Sequence, residues 1–240
     1  MWKYIKRCAF VILCGTLLSG GIKAENIAPT PGSIEAPTII KSSTEIIKRF
    51  HKISRNSAVK VIGFNGGHGS GSYTKVNGEY FVITARHVVD NGWLFVIQGT
   101  GTESVIGQVI YRSSNQDFAL LRIPKMNSRK TADVETTKMK EFKIGDQVVY
   151  TGFPSTYELL TSVGIVSGYE KIYGAVLLQG WAWPGSSGSG VFDENGKLVG
   201  VVVAIGKEYT YSAPQLIETL VYVIAIDEKE FSAMKQAARK

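Results

Sequence analysis

Cysteine is almost absent from this chain of 240 residues, which contains only Cys8 and Cys14. Because both lie near the N-terminus, the rest of the chain can form no disulfide, no metal–thiolate site and no cysteine nucleophile. Histidine is also scarce, with only His51, His68 and His87. The fold must therefore be stabilised by an apolar core, which the chain length and the 44% hydrophobic content can supply.

The N-terminus has the composition of a secretory signal peptide. Three cations and no acid occupy Met1–Arg7, the apolar run Cys8–Leu18 follows, and small residues lead to Ala24. The apolar run is shorter than the roughly 20 residues that a membrane-spanning helix needs. We therefore predict that residues 1–24 are a signal peptide cleaved after Ala24, which would deliver the protein to the periplasm or the exterior. An uncleaved anchor is the alternative.

The same segment carries much of the positive charge. It contains four cations and no acid, so its removal lowers the formal net charge of the chain from +7 to +3. Nucleic acid is therefore not expected as a partner. After cleavage no stable membrane span is expected either. The sequence shows no sign of a metal or an organic cofactor, and it leaves the oligomeric state open.

The segment after the signal peptide is predicted to be a flexible tether over residues 25–41. Its three prolines favour extended backbone. Ser42 or Ser43 is a suitable N-cap for a short helix over Thr44–Lys52.

After this helix, short β-rich segments alternate with turns. Asn77-Gly78 and Asn91-Gly92 are strong signals for hairpins or tight turns. Residues 125–142, rich in Lys, Thr and Met, divide the strands into two groups of about six, over about 57–124 and 143–213. Many short strands without a long helix between them indicate an all-β fold, either a barrel or a sandwich.

Two C-terminal segments are predicted to be helical. Leu and Ile recur at helical spacing in Pro214–Ile226, although β-branched residues are mixed among them. The final segment, residues 227–240, is polar and is predicted to form a short helical tail.

Three short motifs supply a histidine, an aspartate and a serine. His87 directly follows an apolar strand, and Asp117 directly precedes another. A side chain at a strand end is held rigidly at a barrel surface, where a general base and its orienting carboxylate can act. Ser187 lies in Pro184–Gly190, whose sequence is PGSSGSG. Taken alone, His87 could be a surface or capping residue and Asp117 a turn residue.

The glycines around Ser187 add a further feature. Gly185 and Gly188 permit backbone conformations that a Cβ would oppose. They leave the N–H groups of Gly185 and Ser187 free to face a developing oxyanion. By composition alone Ser186 and Ser189 are alternative nucleophiles, and a glycine- and serine-rich loop without chemistry is the remaining interpretation.

The order His, Asp, Ser is that of chymotrypsin-type double β-barrels. Over about residues 57–226 the chain resembles the trypsin-like serine peptidases, and most closely the HtrA-type protease domain without a following PDZ module. The similar stretches are the three motifs together with residues 69–71 and 192–200. The resemblance implies two six-stranded antiparallel β-barrels with short N- and C-terminal helices, forming a trypsin-like serine protease domain over residues 42–226.

The resemblance also implies the chemistry. Ser187 would attack a peptide bond, His87 would accept and return the proton, and Asp117 would orient His87. The N–H groups of Gly185 and Ser187 would form the oxyanion hole. The chain would then be an exported serine endopeptidase that acts on proteins or peptides through an acyl-enzyme, without a cofactor.

By analogy with the fold, substrate should bind along the residues before the nucleophile loop and along one strand of the second barrel. These residues are Trp181, Ala182, Val202, Val203, Ala204 and Gly206, with Tyr211 and Ala213 at the pocket floor. Because no acid or histidine is evident among them, a neutral, apolar residue is expected before the scissile bond.

Two positions depart from the family pattern. Ser186 stands where HtrA-type proteases usually have Asn and trypsins have Asp, so activation by a new N-terminal amine is not expected. Ser189 replaces a common glycine. Three other functions stay open. One is a catalytically inactive relative that binds peptides along Leu198–Ala204 by strand addition, and another is an esterase with the same machinery. The third is a non-enzymatic envelope protein in which the motifs are coincidental.

Overall fold

The computed structural model describes residues 38–209 and 214–239. The predicted signal peptide, the first part of the tether, and the floor residues Tyr211 and Ala213 lie outside the described residues. The helices and strands have the following bounds: α1 Thr38–Ser57, β1 Ala58–Ile62, β2 His68–Val76, β3 Glu79–Thr84, β4 Leu94–Gln98, β5 Ser104–Arg112, β6 Ala119–Ile123, β7 Gln147–Gly152, β8 Leu160–Glu170, β9 Ala175–Gln179, β10 Gly190–Phe192, β11 Leu198–Tyr209, β12 Pro214–Ala225 and α2 Glu228–Ala237.

Strands β1 to β6 close the first barrel in the order β1-β2-β3-β6-β5-β4, and every neighbouring pair is antiparallel. Alternate residues face inward, as Val59 and Val61 of β1 do, and both are fully buried. Between β2 and β3, Asn77 and Gly78 both have positive φ, 52° and 92°. A two-residue type I′ turn requires these values, so the predicted hairpin is confirmed.

Strands β7 to β12 close the second barrel in the order β10-β11-β12-β9-β8-β7, again with antiparallel neighbours. Its core is largely aliphatic and includes the fully buried Val191, Val221 and Val223. The predicted all-β fold of two six-stranded barrels is therefore confirmed.

The last strand differs from the sequence prediction. Residues 214–226, predicted as a helix, contain β12, which pairs with β9 and β11 and closes the second barrel. Val221 and Val223 face the core while Tyr222 between them is only half-buried, which is the period of a strand. A short apolar run fits helical and strand spacing alike. Closure of the second barrel selects the strand, because β12 pairs with both β9 and β11. The second barrel therefore extends to Ala225 rather than to residue 213.

The two barrels pack against each other through a shared apolar cluster. Phe81 and Leu120 of the first barrel and Phe192 and Leu198 of the second belong to it, and all four are almost fully buried. The backbone of the connector between the barrels hydrogen-bonds to both of them. This packing holds loops of the two barrels opposite each other.

Helix α1 begins earlier and ends later than the sequence predicts. Thr38–Lys41, assigned to the tether, belong to the helix, and Ser42 and Ser43 lie inside it rather than at its start. Near its C-terminus the Ser54 hydroxyl donates to Thr151 Oγ1 of the second barrel at 2.7 Å. Packing of this last turn on the barrel accounts for the continuation of the helix past Lys52. No helix among the described residues is long and apolar enough to cross a membrane.

Helix α2 returns to the first barrel. Asp227 caps it by accepting the Glu230 N–H at 2.7 Å, and Met234 is fully buried in the cluster that both barrels share. The buried Glu230 carboxylate accepts hydrogen bonds from the hydroxyls of Tyr111 (2.8 Å) and Ser113 (3.1 Å). Burial and the Glu230 carboxylate raise the pKa of Tyr111 to about 12, so its phenol stays a neutral donor. The predicted C-terminal helix is confirmed.

Candidate active site

His87 lies in a single 3-10 turn, Arg86–Val88, directly after β3. Asp117, just before β6, binds it twice. Oδ2 accepts from His87 Nδ1 at 2.7 Å, and Oδ1 accepts from the His87 backbone N–H at 2.9 Å. The two residues meet because β3 and β6 are antiparallel neighbours, with Thr84 opposite Ala119. The double contact fixes both the imidazole ring and the backbone that carries it.

This contact also sets the protonation of both groups. An ionised carboxylate only accepts hydrogen bonds, so Nδ1 of His87 carries the proton and Nε2 is left as an acceptor. The hydrogen bond to Asp117, opposed in part by burial, raises the pKa of His87 above its ordinary 6.5. Burial by itself raises the pKa of Asp117, but the hydrogen bonds and charge of His87 outweigh it and bring that pKa below 3.8. Asp117 is therefore ionised wherever His87 can act as a base.

The backbone before Ser187 forms a type II β-turn over Trp183–Ser186. The Ser186 N–H donates to Trp183 O at 2.8 Å, and the Ser186 hydroxyl accepts from the Trp183 N–H at 3.1 Å. Pro184 and Gly185 take the two central positions, and Gly185 has a φ of 100°, as the second position requires. Ser186, which departs from the family pattern, thus holds the two ends of this turn together through its N–H and its hydroxyl.

Two backbone donors of this loop have no acceptor in the part of the chain that the structure describes. Within the described residues, the N–H groups of Gly185 and Ser187 donate to no acceptor. The neighbouring groups are occupied, since Ser187 O accepts from the Ser70 N–H at 2.7 Å and the Gly188 N–H donates to Val202 O at 2.8 Å. A fixed pair of free donors is the arrangement that stabilises an oxyanion.

Ser187 and His87 line one cavity of about 620 Å³ at the junction of the barrels. Asp117 is hydrogen-bonded to His87, so the structure brings together the three residues that the motifs single out. In the part of the chain that the structure describes, no three His, Cys, Asp or Glu residues cluster closely enough to hold a metal ion. The chemistry available at this site is that of a hydroxyl, an imidazole, a carboxylate and two amide donors.

Ser70 is a residue of this site that the sequence reasoning did not assign. It is fully buried on β2. Its hydroxyl donates to Gly185 O at 2.7 Å and accepts from the Phe153 N–H at 2.9 Å, and its own N–H holds Ser187 O. Ser70 therefore fixes the carbonyl groups of Gly185 and Ser187, the two residues whose N–H groups are free. The glycines on either side of Ser70 contributed to the family resemblance, but no spacing rule points to a partner 115 positions away.

His68 also lies closer to the site than the sequence suggests. Its surroundings predict a flexible loop, but His68 is the first residue of β2 and pairs with Ile62 of β1. Its Nε2 lies 3.0 Å from Phe153 O, and it lines the cavity beside Gly185 and Ser187. The local composition around His68 favours a loop, but pairing of β2 with β1 places this residue in a strand.

The predicted substrate-binding residues occupy different environments. Ala182 and Val202 are buried in the core of the second barrel. The others are Trp181 and Ala204, which are exposed, Val203, which is half-buried, and Gly206, which is buried. Their assignment to substrate stays a prediction.

Two known proteins with similar sequences are named as serine proteases. The chain is 28% identical over 172 residues to the "Probable periplasmic serine endoprotease DegP-like" of Bartonella henselae, covering 69% of this chain and 31% of that protein. It is 25% identical over 177 residues to a "Serine protease HtrA-like" of Staphylococcus aureus, covering 67% and 22%. The chain thus spans less than a third of the length of these relatives.

Solved structures show the same fold. The serine endoprotease from Yersinia pestis superposes with a TM-score of 0.63 at 19% identity, covering 86% of this chain and 69% of that one. The HtrA-type protease AlgW with a tripeptide gives 0.61 at 18%, covering 79% and 62%. The family model of the trypsin-like peptidase domain matches residues 69–201, more than half of the sequence. This chain therefore belongs to the trypsin-like peptidase domain family.

Proposed function

We propose that this protein is an exported serine endopeptidase that cleaves peptide bonds with Ser187, His87 and Asp117. The observation that carries the proposal is the double hydrogen bond between His87 and Asp117, at the cavity that Ser187 also lines. An imidazole held in one tautomer, with its second nitrogen free in the same cavity as a serine, suits a nucleophile, a base and an orienting group.

Acylation begins when Ser187 Oγ attacks the carbonyl carbon of the scissile bond. His87 Nε2 takes the hydroxyl proton, and Asp117 stabilises the resulting imidazolium. The former carbonyl oxygen becomes negatively charged, and the free N–H groups of Gly185 and Ser187 stabilise it. The C–N bond then breaks, His87 gives its proton to the leaving amine, and the acyl group remains on Ser187 as an ester.

Deacylation repeats these steps with water. His87 Nε2 takes a proton from water, whose oxygen attacks the ester carbon. When the second tetrahedral intermediate collapses, His87 returns the proton to Ser187 Oγ and the new carboxylic acid leaves. All groups are restored, and every proton moves through the nitrogen that Asp117 leaves free.

The substrates we propose are proteins or peptides with a neutral, apolar residue before the scissile bond. The serine protease names of the relatives support a protein substrate, and one similar structure contains a bound tripeptide. We also propose that the protein acts in the periplasm or outside the cell. The signal-peptide pattern of residues 1–24 and the periplasmic name of one relative support this location.

A fluorophosphonate probe tests the proposed nucleophile directly, because it reacts with an activated serine hydroxyl. We expect the purified protein to be labelled on Ser187, Ser187→Ala to take up no label, and His87→Ala to react much more slowly. Ser189→Ala is the matched control, since Ser189 is fully buried two positions away and its loss should leave labelling intact. Label that survives Ser187→Ala would contradict the assignment.

Substrate assays separate the competing functions. We expect the protein to cleave a denatured protein and a peptide ester, and Ser187→Ala to cleave neither. Hydrolysis of the ester alone would support an esterase. Peptide binding without labelling or hydrolysis would support an inactive, peptide-binding relative.

A further inference from the structure

The cavity at the active site is lined by residues from one side of the site. His87, Gly185 and Ser187 line it together with the apolar side chains of Phe64 and Trp93. Every lining residue comes from the first barrel or from the loop Pro184–Ser187, and none comes from β11 or β12. The cavity is therefore distinct from the strand predicted to bind the acyl side of the substrate.

The proposed chemistry identifies which part of a substrate would enter it. His87 must give its proton to the leaving amine, so the residues after the scissile bond have to pass close to the imidazole. The acyl side is instead predicted to lie along β11, whose Val202 O accepts the Gly188 N–H at 2.8 Å. The first-barrel loops beside His87 therefore face the leaving segment.

Trp93 is exposed but firmly held. Its side chain is 71% exposed, yet the Arg112 guanidinium lies 4.4 Å from the ring centroid. Arg112 is fixed in turn, because it donates to Val89 O at 2.8 Å and also to Gly92 O. The Trp93 carbonyl accepts the Val109 N–H at 2.9 Å. An exposed aromatic ring with one face covered by a cation presents a rigid apolar wall on its other side.

Phe64 stands at the tip of an ordered turn. The side chain is 73% exposed, and the backbone around it is closed by hydrogen bonds from Gly63 N to Gly67 O at 2.9 Å and from Gly66 N to Gly63 O at 3.0 Å. The Asn65 side chain accepts the Gly67 N–H at 3.1 Å. Little conformational freedom remains in this turn to be lost when a ligand binds.

We propose that this cavity is the subsite for the leaving side of the substrate. It selects a large apolar side chain, aromatic or branched aliphatic, within the first two residues after the scissile bond. The inference rests on the proposed function and adds a specificity determinant to it. Phe64, Trp93 and Leu94 supply the apolar walls, and no Asp, Glu, Lys or Arg lines the cavity to pair with a charged side chain.

Acyl transfer measures this subsite by itself. A peptide ester whose leaving group is a simple alcohol forms the acyl-enzyme without occupying the cavity. An added dipeptide amide then competes with water: its amine nitrogen attacks the ester carbon, the bond to Ser187 Oγ breaks, and the amine proton passes through His87 to that oxygen. We expect Phe-Gly, Leu-Gly, Gly-Phe or Gly-Leu amides to capture the acyl group about tenfold better than Gly-Gly or Asp-Gly amides. Comparing the two positions shows which residue enters.

Substitutions in the cavity walls test which residues cause the preference for apolar amides. We expect Trp93→Ala and Phe64→Ala to lose most of this preference. Both variants should react with the fluorophosphonate at the wild-type rate, which would also show that they are folded. Trp93→Phe should keep the preference. Tyr173→Ala is the matched control, since Tyr173 is 74% exposed on the β8–β9 hairpin and does not line the cavity.

Two results would overturn the subsite while leaving the proposed function intact. One is a wild-type protein that hydrolyses the ester but captures all amides equally. The other is a preference that survives both alanine substitutions. A wild-type protein that takes up no label would overturn the proposed function, and the subsite with it.

Discussion

The two barrels contribute to the candidate active site in different ways. The first supplies side-chain chemistry, because His87 and Asp117 are joined by hydrogen bonds and shift each other's pKa. The second supplies the Ser187 hydroxyl and two backbone donors. The direction of these donors depends on the conformation of Gly185 and on a carbonyl that Ser70 of the first barrel holds. The contribution of the first barrel should therefore be sensitive to charge and pH, and that of the second barrel to an added Cβ.

The largest expected effect comes from removing the Asp117 carboxylate, which the first barrel contributes. Asp117→Asn removes the carboxylate that selects the His87 tautomer, and in a triad this change lowers kcat about 10⁴-fold. The measurement is kcat on a peptide ester. Asp90→Asn is the matched control, because Asp90 is bonded to Arg86 rather than to the His87 ring, and it should stay close to wild type. Equal losses in both variants would contradict the assignment of Asp117.

The next largest effect comes from adding a Cβ to Gly185, which carries one of the two backbone donors of the second barrel. Alanine at position 185 would keep a φ of 100° only under strain, and its Cβ would lie 2.5 Å from Phe153 O. The loop must move, and loss of an oxyanion donor lowers kcat about 10²–10³-fold. Gly145→Ala is the control: its φ is 96° but nothing lies within 4 Å of the added Cβ. A Gly185→Ala protein with wild-type kcat would show that this N–H is not used.

A smaller effect tests how the donors are held. Ser70→Ala removes the bonds to Gly185 O and from the Phe153 N–H, and one hydrogen bond contributes about 1 kcal/mol. We expect kcat to fall about tenfold while KM and the pH dependence stay unchanged. Ser72→Ala, equally buried on the same strand, is the control. A change in KM alone would instead place Ser70 in substrate binding.

The smallest effect concerns the pH profile. His87 must be neutral to accept a proton, and its pKa is raised by the hydrogen bond to Asp117. Activity should therefore fall as the pH drops through a value above 6.5, as the acid limb of kcat/KM shows. In Asp117→Asn the residual activity should have its acid limb at lower pH, whereas Gly185→Ala should leave the limb in place. An acid limb below pH 6.5 in the wild type would contradict this coupling.

Local signals in the sequence predicted much of the fold and pointed to the residues of the candidate site. Asn77-Gly78 encodes its turn in two neighbouring residues. His87, Asp117 and Ser187 lie at strand boundaries or in a glycine-rich loop that can be recognised within a few positions. Their meeting follows once the order of the motifs indicates the double barrel.

Features that depend on distant partners could not be predicted. The last strand, β12, is fixed by pairing with β9 and β11, and its short apolar run alone fits a helix equally well. Helix α1 continues past its expected end at Lys52 because its C-terminal turn packs on the barrel at Thr151. Ser70 is defined by bonds to Gly185 and Phe153, which no local pattern links to it.

Helix α2 has a consequence for how the protein matures. Its Glu230 binds Tyr111 and Ser113, whose positions in the sequence are 119 and 117 residues earlier. The Ser113 hydroxyl also accepts the N–H groups of Asn115 and Gln116, in the loop that leads to Asp117. A chain synthesised from its N-terminus can therefore complete the support of this loop only after Glu230 has been added.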